Sequence, residues 1–219
     1  MSTSARLLAG LGLIVGVVAL VVQFVISMQA YTAAGRDVPG ALGTFFTYYT
    51  ILTNIVLVLI YLAEFVGWRW LDLFRSLDVR GMMVAVMILV ASFVHFFLRG
   101  LGLSGWFLAC DYALHYATPL IYFLWWLVGV RHGPLLLRRI PLMLAPTVVY
   151  FLVVLARGAW VGEYPYPVLN VVSLGYPHVL LNALLLAVGL AALMMIVVAI
   201  DEVLGRLRRP GSEENMPRG

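Results

Sequence analysis

From Leu7 to Gly35 the chain carries no charged residue, and the stretch "LLAGLGLIVGVVALVVQFVISMQAYTAAG" is apolar almost throughout. A run of that length has nowhere to hide in a small water-soluble core. It does match a bilayer, whose hydrocarbon needs about 20 apolar residues per helical crossing. Inside lipid the backbone must satisfy its own hydrogen bonds, so the run is expected to be a helix. A membrane barrel would instead show short alternating strands. The run is also longer than the ~7–15 residues of a signal-peptide core, so it reads as a retained first helix behind Arg6.

Five more runs follow, and the sequence predicts an all-α integral membrane bundle of six transmembrane helices. Their expected ranges are Leu7–Tyr31, Thr44–Val66, Gly81–Leu98, Tyr112–Val130, Ile140–Ala156 and Leu174–Ile200. The whole chain is 63% hydrophobic with a mean hydropathy of +1.02, which fits one membrane domain over residues 1–205. The polar end "RLRRPGSEENMPRG", residues 206–219, is expected to be a disordered tail. Short connections predict that successive helices pack as neighbours, and the helices read as unbroken, which weighs against a transporter.

All fourteen basic residues are arginine, and the net charge is +4. The pI near 9.4 is read as loop bias and not as a nucleic-acid footprint. With six spans, eleven arginines fall on the side of the two termini, and three (Arg36, Arg99, Arg157) fall on the other. Basic loops stay inside, so both termini are expected in the cytoplasm. The arginine-only usage points to a bacterial inner membrane. Trp106, Trp160, Tyr164 and Tyr166 then form an outer aromatic belt. The lone cysteine, Cys110, permits no intramolecular disulfide and reads as apolar filler.

This topology gives each polar residue a depth. Helix 2 begins "GTFFTYYTILTN", and Thr47, Thr50 and Asn54 recur at i, i+3 and i+7, one stripe on one face. His95, His115 and His178 fall in the same outer leaflet, with Asp111 one turn before His115 and Asn182 below His178. A polar cavity opening outward is therefore expected. Thr50, Thr53 and Asn54 also suit interhelical hydrogen-bond glue. Asp111 suits either a helix cap or a carboxylate that orients His115. Pro119, four residues after His115, removes a helix hydrogen bond and is expected to kink helix 4. His132 falls in a cytoplasmic loop and calls for no special role. Arg99 and Arg157 read as interface anchors.

"FFTYYTILTN", "LHYATPLIYFLWWL", "RGAWVGEYPYPVLN" and "GYPHVLLN" resemble the family of androgen-induced protein and ADTRP, six-span membrane proteins with bacterial relatives. The resemblance covers nearly the whole chain in span number and spacing. Eukaryotic members are threonine hydrolases of fatty acid esters of hydroxy fatty acids (FAHFAs). The resemblance implies Thr47 as nucleophile and His115 as base, with His95 or His178 as other imidazoles at that level. It implies a lipid ester or fatty-acid-like ligand within membrane lipid, and no cofactor. In such a reaction Asp111 would orient His115. Asn54, Asn182, His178 or a tyrosine hydroxyl would steady the oxyanion. Arg99 or Arg157 would hold a substrate carboxylate. Two other readings stand beside this: a metal or haem site on His95, His115 and His178, and a non-catalytic lipid-binding, transport or regulatory protein.

Overall fold

A computed structural model of the chain describes residues 2–98 and 102–208. No strand occurs among the described residues, and nine α-helices carry the fold. They are α1 (Thr3–Ala33), α2 (Val38–Phe45), α3 (Tyr49–Phe65), α4 (Asp72–Arg75), α5 (Leu77–Phe93), α6 (Gly105–Tyr112), α7 (Thr118–Gly129), α8 (Ile140–Val161) and α9 (Val171–Leu207). A π turn, Val94–Leu98, continues α5, and a second, Ala113–Ala117, joins α6 to α7.

The chain is an integral membrane protein. Four helical stretches are long and apolar enough to cross a membrane: Thr3–Ala33, Leu77–Leu98, Leu137–Val161 and Val171–Leu207. A fifth is reached if α2 and α3 are taken together. The expected fourth span, Tyr112–Val130, comprises the π turn and α7 and is not among these stretches.

The packing is inverted relative to a soluble bundle. On α1 the buried positions are Ala5, Ala9, Gly12, Gly16, Ala19 and Ser27, while Leu7, Ile14, Val18 and Val21 are exposed. Lipid tails are as apolar as leucine, so burying leucine gains little, whereas small residues let backbones close in. The stripe does this against α3: a Cβ on Gly12 would lie 2.3 Å from the Tyr61 ring, and one on Gly16 would lie 2.9 Å from Val58. The core beneath is aromatic, with Tyr61, Tyr122, Trp125 and Trp126 fully enclosed. Successive spans pack together at α1 with α3, α3 with α5, α5 with α7 and α8 with α9, but α7 and α8 are not close neighbours, contrary to the expectation; instead α1 packs on α7 and α5 on α9.

Two helices expected to be continuous are broken. Expected helix 2 bends by 73° between α2 and α3, over Phe46–Tyr48. The turn closes with Thr47 N–H on the Thr44 carbonyl and Tyr48 N–H on the Phe45 carbonyl. The expected last helix starts earlier, at Val171, and breaks at Gly175, whose φ of +72° favours glycine. It also runs past Ile200 to Leu207, so the boundary expected at residue 205 falls inside a helix. The expected disordered tail lies outside the described residues from 209 onward.

His132 is not an idle loop residue, as the sequence suggested, but a buried clamp. Its Nδ1 lies 2.9 Å from Asp201 Oδ1 and its Nε2 lies 3.1 Å from the Leu127 carbonyl. Asp201 Oδ2 also accepts the Gly133 and Leu135 N–H groups. The chain backbones almost touch here, since a Cβ on Gly205 would sit 2.6 Å from the Gly133 Cα.

Candidate active site

α3 begins without a side-chain cap of its own, because its N-cap residue is Tyr48. The first N–H groups of any helix lack intrahelical acceptors. Here Tyr49 N–H donates to the Tyr166 hydroxyl, 3.0 Å away on the connection between α8 and α9. Thr50 is the next residue along, and its side chain is buried at the helix mouth.

Thr50 Oγ1 lies 3.0 Å from His115 Nε2. On the other side of the ring, Nδ1 lies 2.9 Å from Asp111 Oδ1 and 3.1 Å from the Asp111 carbonyl. A carboxylate and a carbonyl only accept, so Nδ1 carries the proton. Nε2 is then a free lone pair facing the Thr50 hydroxyl. This is the hydrogen-bond order of a hydroxyl nucleophile, an imidazole base and an orienting carboxylate.

The π turn holds His115 in place. A π turn shifts each acceptor's partner from i+4 to i+5, so Thr118 N–H reaches the Ala113 carbonyl. The next carbonyl, Leu114, would then face Pro119, which has no N–H. Two side chains serve that carbonyl instead: the Thr118 hydroxyl at 3.1 Å and the Asn54 amide at 3.2 Å. Asn54 also donates to the Thr50 carbonyl and accepts from the Thr118 hydroxyl. Pro119 thus acts through a π turn, and Asn54 ties the Thr50 helix to the His115 helix.

A cavity of about 400 Å³ opens beside the relay, lined by Thr50, Asp111, His115 and Tyr166 among mostly apolar neighbours such as Phe45, Leu103, Phe107 and Leu114. A narrow apolar slit lies on the far side of Thr50 and Tyr166, between Tyr150, Phe93 and Val168. A separate vestibule of about 510 Å³ contains Arg36, Thr47, Arg157 and Glu163. Arg36 and Glu163 pair across it at 2.7 Å. The Arg36 hydrogen bond holds the Glu163 carboxyl below its usual range, and Arg157 adds to this through space.

The expected site residues separate. The pair taken from the resemblance, Thr47 with His115, is replaced in the hydrogen bonding by Thr50 with His115. Thr47 Oγ1 donates to the Gly43 carbonyl at 2.6 Å, because the break at Phe46–Tyr48 turns it into the vestibule. His115 and Asp111 come together as expected of an i, i+4 pair. His178 is exposed on α9 and bonds its own helix at the Leu174 carbonyl. His95 stands in the other π turn, its ring 6.4 Å from that of Tyr116. Both donor hydrogens of Asn54 are used structurally, and Asn182 donates to the Val168 carbonyl. Arg157 lines the vestibule and makes no hydrogen bond or ion pair among the described residues. Arg99 lies outside the described residues. Among those residues no group of three His, Cys, Asp or Glu is placed to share a metal ion.

Sequence reasoning treated Thr50 as glue and Tyr166 as a belt residue. The signal for Thr50 was present, since it shares a stripe with Asn54. No family model matches the chain, and neither a curated protein nor a solved structure matches it significantly.

Proposed function

We propose that the protein is a membrane-embedded hydrolase of lipid esters, with Thr50 as nucleophile, His115 as general base and Asp111 as its orienting carboxylate. The observation that supports this most is the unbroken relay from Thr50 Oγ1 through both nitrogens of His115 to Asp111, at 3.0 and 2.9 Å. Thr50 Oγ attacks the ester carbonyl carbon, the carbonyl π pair moves to oxygen, and the Thr50 proton passes to His115 Nε2. Collapse breaks the bond to the alcohol oxygen, which leaves with the proton from His115. Water then attacks the acyl carbon and loses its proton to His115; collapse breaks the bond to Thr50 Oγ, which takes that proton back from His115, and releases the acid. The β-branched nucleophile is stiff and hindered, so turnover is slow.

The substrate class is supported by the apolar lining of the cavity and by the resemblance to six-span FAHFA hydrolases, which assigns His115 the same role but places the nucleophile at Thr47. In the six-span reading the arginine bias puts both termini in the cytoplasm, and the site then opens in the outer leaflet. Arg157, which makes no hydrogen bond among the described residues of the vestibule, is suited to a substrate carboxylate.

A second reading, lipid binding or transport without chemistry, gains from the helix breaks at Phe46–Tyr48 and Gly175, since broken helices often mark binding sites in transporters. One experiment separates the two. Detergent-purified wild type, Thr50→Ala, Thr47→Ala and His115→Ala are exposed to a fluorophosphonate probe and the labelled residue is mapped by mass spectrometry. The hydrolase reading expects labelling at Thr50, lost in Thr50→Ala and His115→Ala and retained in Thr47→Ala. Labelling at Thr47 would return the nucleophile to that position. A well-folded wild type that never labels would leave lipid binding without chemistry.

A further inference from the structure

An attacking threonine needs a donor for the negative oxygen it creates, and the relay of Thr50, His115 and Asp111 contains none. The nearby amides are spent: Asn54 on the Thr50 and Leu114 carbonyls, Asn182 on the Val168 carbonyl. Thr53 is closed on the Tyr49 and Thr50 carbonyls. The Tyr150 hydroxyl donates to the Thr47 carbonyl and the Tyr49 hydroxyl pairs with Thr147.

One hydroxyl differs. The Tyr166 oxygen accepts the Tyr49 N–H at 3.0 Å, and the hydroxyl sits between the Thr50 and Tyr150 hydroxyls, committed to no backbone carbonyl among the described residues. Tyr166 interacts with Thr50 through both the side chain and the backbone of that residue. Like Thr50, it lines both the 400 Å³ cavity and the apolar slit. We infer that Tyr166 is the oxyanion donor of the site, its phenol O–H aimed at the oxygen that becomes negative when Thr50 attacks. This rests on the hydrolase reading of the same residues.

The loop is built to hold that phenol still. Pro165 and Pro167 flank Tyr166, and proline restricts both its own backbone and that of the residue before it. The ring packs edge-on against Tyr48 and against Phe93, each at 5.9 Å between centroids. Asn182 holds the carbonyl two residues on. A donor already fixed before the reaction needs no reorganisation when charge develops. The Tyr49 N–H on the phenol oxygen polarises the O–H, making it a better donor. Burial pushes the phenol's pKa up, so it stays protonated at neutral pH. The site also sits at the N-terminus of α3, where the helix dipole favours negative charge.

In the transition state the carbonyl oxygen gains the π electron pair and receives a hydrogen bond from Tyr166, with no proton transferred. Removing one such donor typically costs about 10²–10³-fold in kcat. The test measures p-nitrophenyl ester hydrolysis and fluorophosphonate labelling of wild type, Thr50→Ala and Tyr166→Phe in detergent, with thermal unfolding as a control for the fold. The expected result is a fall of about 10²–10³-fold in kcat for Tyr166→Phe at an unchanged KM. Incorporation of 3-fluoro- and 3,5-difluorotyrosine at position 166 provides a second readout. A donor role makes kcat change with phenol acidity, which a purely structural ring would not do. This series also decides the matter should Tyr166→Phe fail to fold. If wild type labels and turns over while Tyr166→Phe and the fluorinated variants keep kcat within about threefold, the oxyanion role is overturned and the hydrolase reading stands. If folded wild type neither labels nor turns over, both fall.

Discussion

Each nitrogen of His115 has a distinct duty, and Asp111 decides which. With Asp111 on Nδ1, the lone pair at Nε2 faces Thr50. Asp111→Asn is expected to lower kcat by up to ~10⁴-fold, because the amide can donate to Nδ1 and hold the wrong tautomer. A pH–rate profile of the variant checks this: activity should rise with pH at a lower plateau, and an unchanged profile would remove Asp111 from the mechanism. The Asp111–His115 pair was legible from spacing alone, since i and i+4 share a helix face. Thr50 as the partner was not. Thr47 and Thr50 lie on one stripe only if the helix is continuous, and neither glycine nor proline at 46–48 announces the break. His178 shows the complementary limit. Its depth followed from topology, but which way it faces depends on how α9 is rotated against α5 and α8, and α9 turns His178 outward.

One amide ties α3 to the π turn that carries His115. Asn54 bonds the Thr50 carbonyl on its own helix and the Leu114 carbonyl in that turn. Asn54→Leu keeps the bulk but removes a hydrogen bond from a buried carbonyl, at a cost of about 1–3 kcal/mol. It is expected to reduce probe labelling of Thr50 more than it lowers the unfolding temperature in detergent, because the Thr50–His115 distance depends on this tie. The connection that carries Tyr166 is fastened differently, by Arg36 on Glu163 and by the Tyr164 ring seated on Gly158. Glu163 has a folded pKa below its unfolded value, so the ion pair stabilises fully above the ordinary carboxylate range and is lost as pH falls through the lowered folded value. Protection of the amides of residues 162–170, corrected for the intrinsic exchange rate, is expected to fall on acidification through that window. Glu163→Gln should show the lower protection already at neutral pH, and identical protection in both proteins would dismiss the latch. The strap could not have been read from the sequence, because Arg36 and Glu163 are 127 residues apart and both sit in loops.

Beside the aromatic core, the bundle carries two buried polar clusters, the relay around Thr50 and the clamp of His132 on Asp201. Both His132 nitrogens face acceptors, Asp201 Oδ1 and the Leu127 carbonyl. Asp201→Ala leaves the Gly133 and Leu135 N–H groups without their acceptor, and a buried unsatisfied donor typically costs about 1–3 kcal/mol. It should lower the unfolding temperature without changing KM in the remaining folded fraction. Gly205→Ala is expected to destabilise the same region, since the new methyl meets the Gly133 backbone. The membrane class was readable from the uncharged runs alone. The expected crossing at Tyr112–Val130 is not among the stretches apolar enough to span, and His115, Thr118 and Pro119 dilute its apolar run. The bend before Thr50 has a consequence for where this protein can work. α3 is 17 residues long, which at 1.5 Å per residue rises about 25 Å, against a hydrocarbon slab of about 30 Å. In the six-span reading this crossing is too short for an average bilayer, and a short crossing draws the bilayer thinner around itself. Water then lies close to the N-terminal end of α3, where an acyl-threonine would wait for it. Host lipid thickness therefore becomes a control on turnover, and vesicles of shorter-chain phospholipid should support faster hydrolysis than vesicles of longer-chain phospholipid at equal substrate loading.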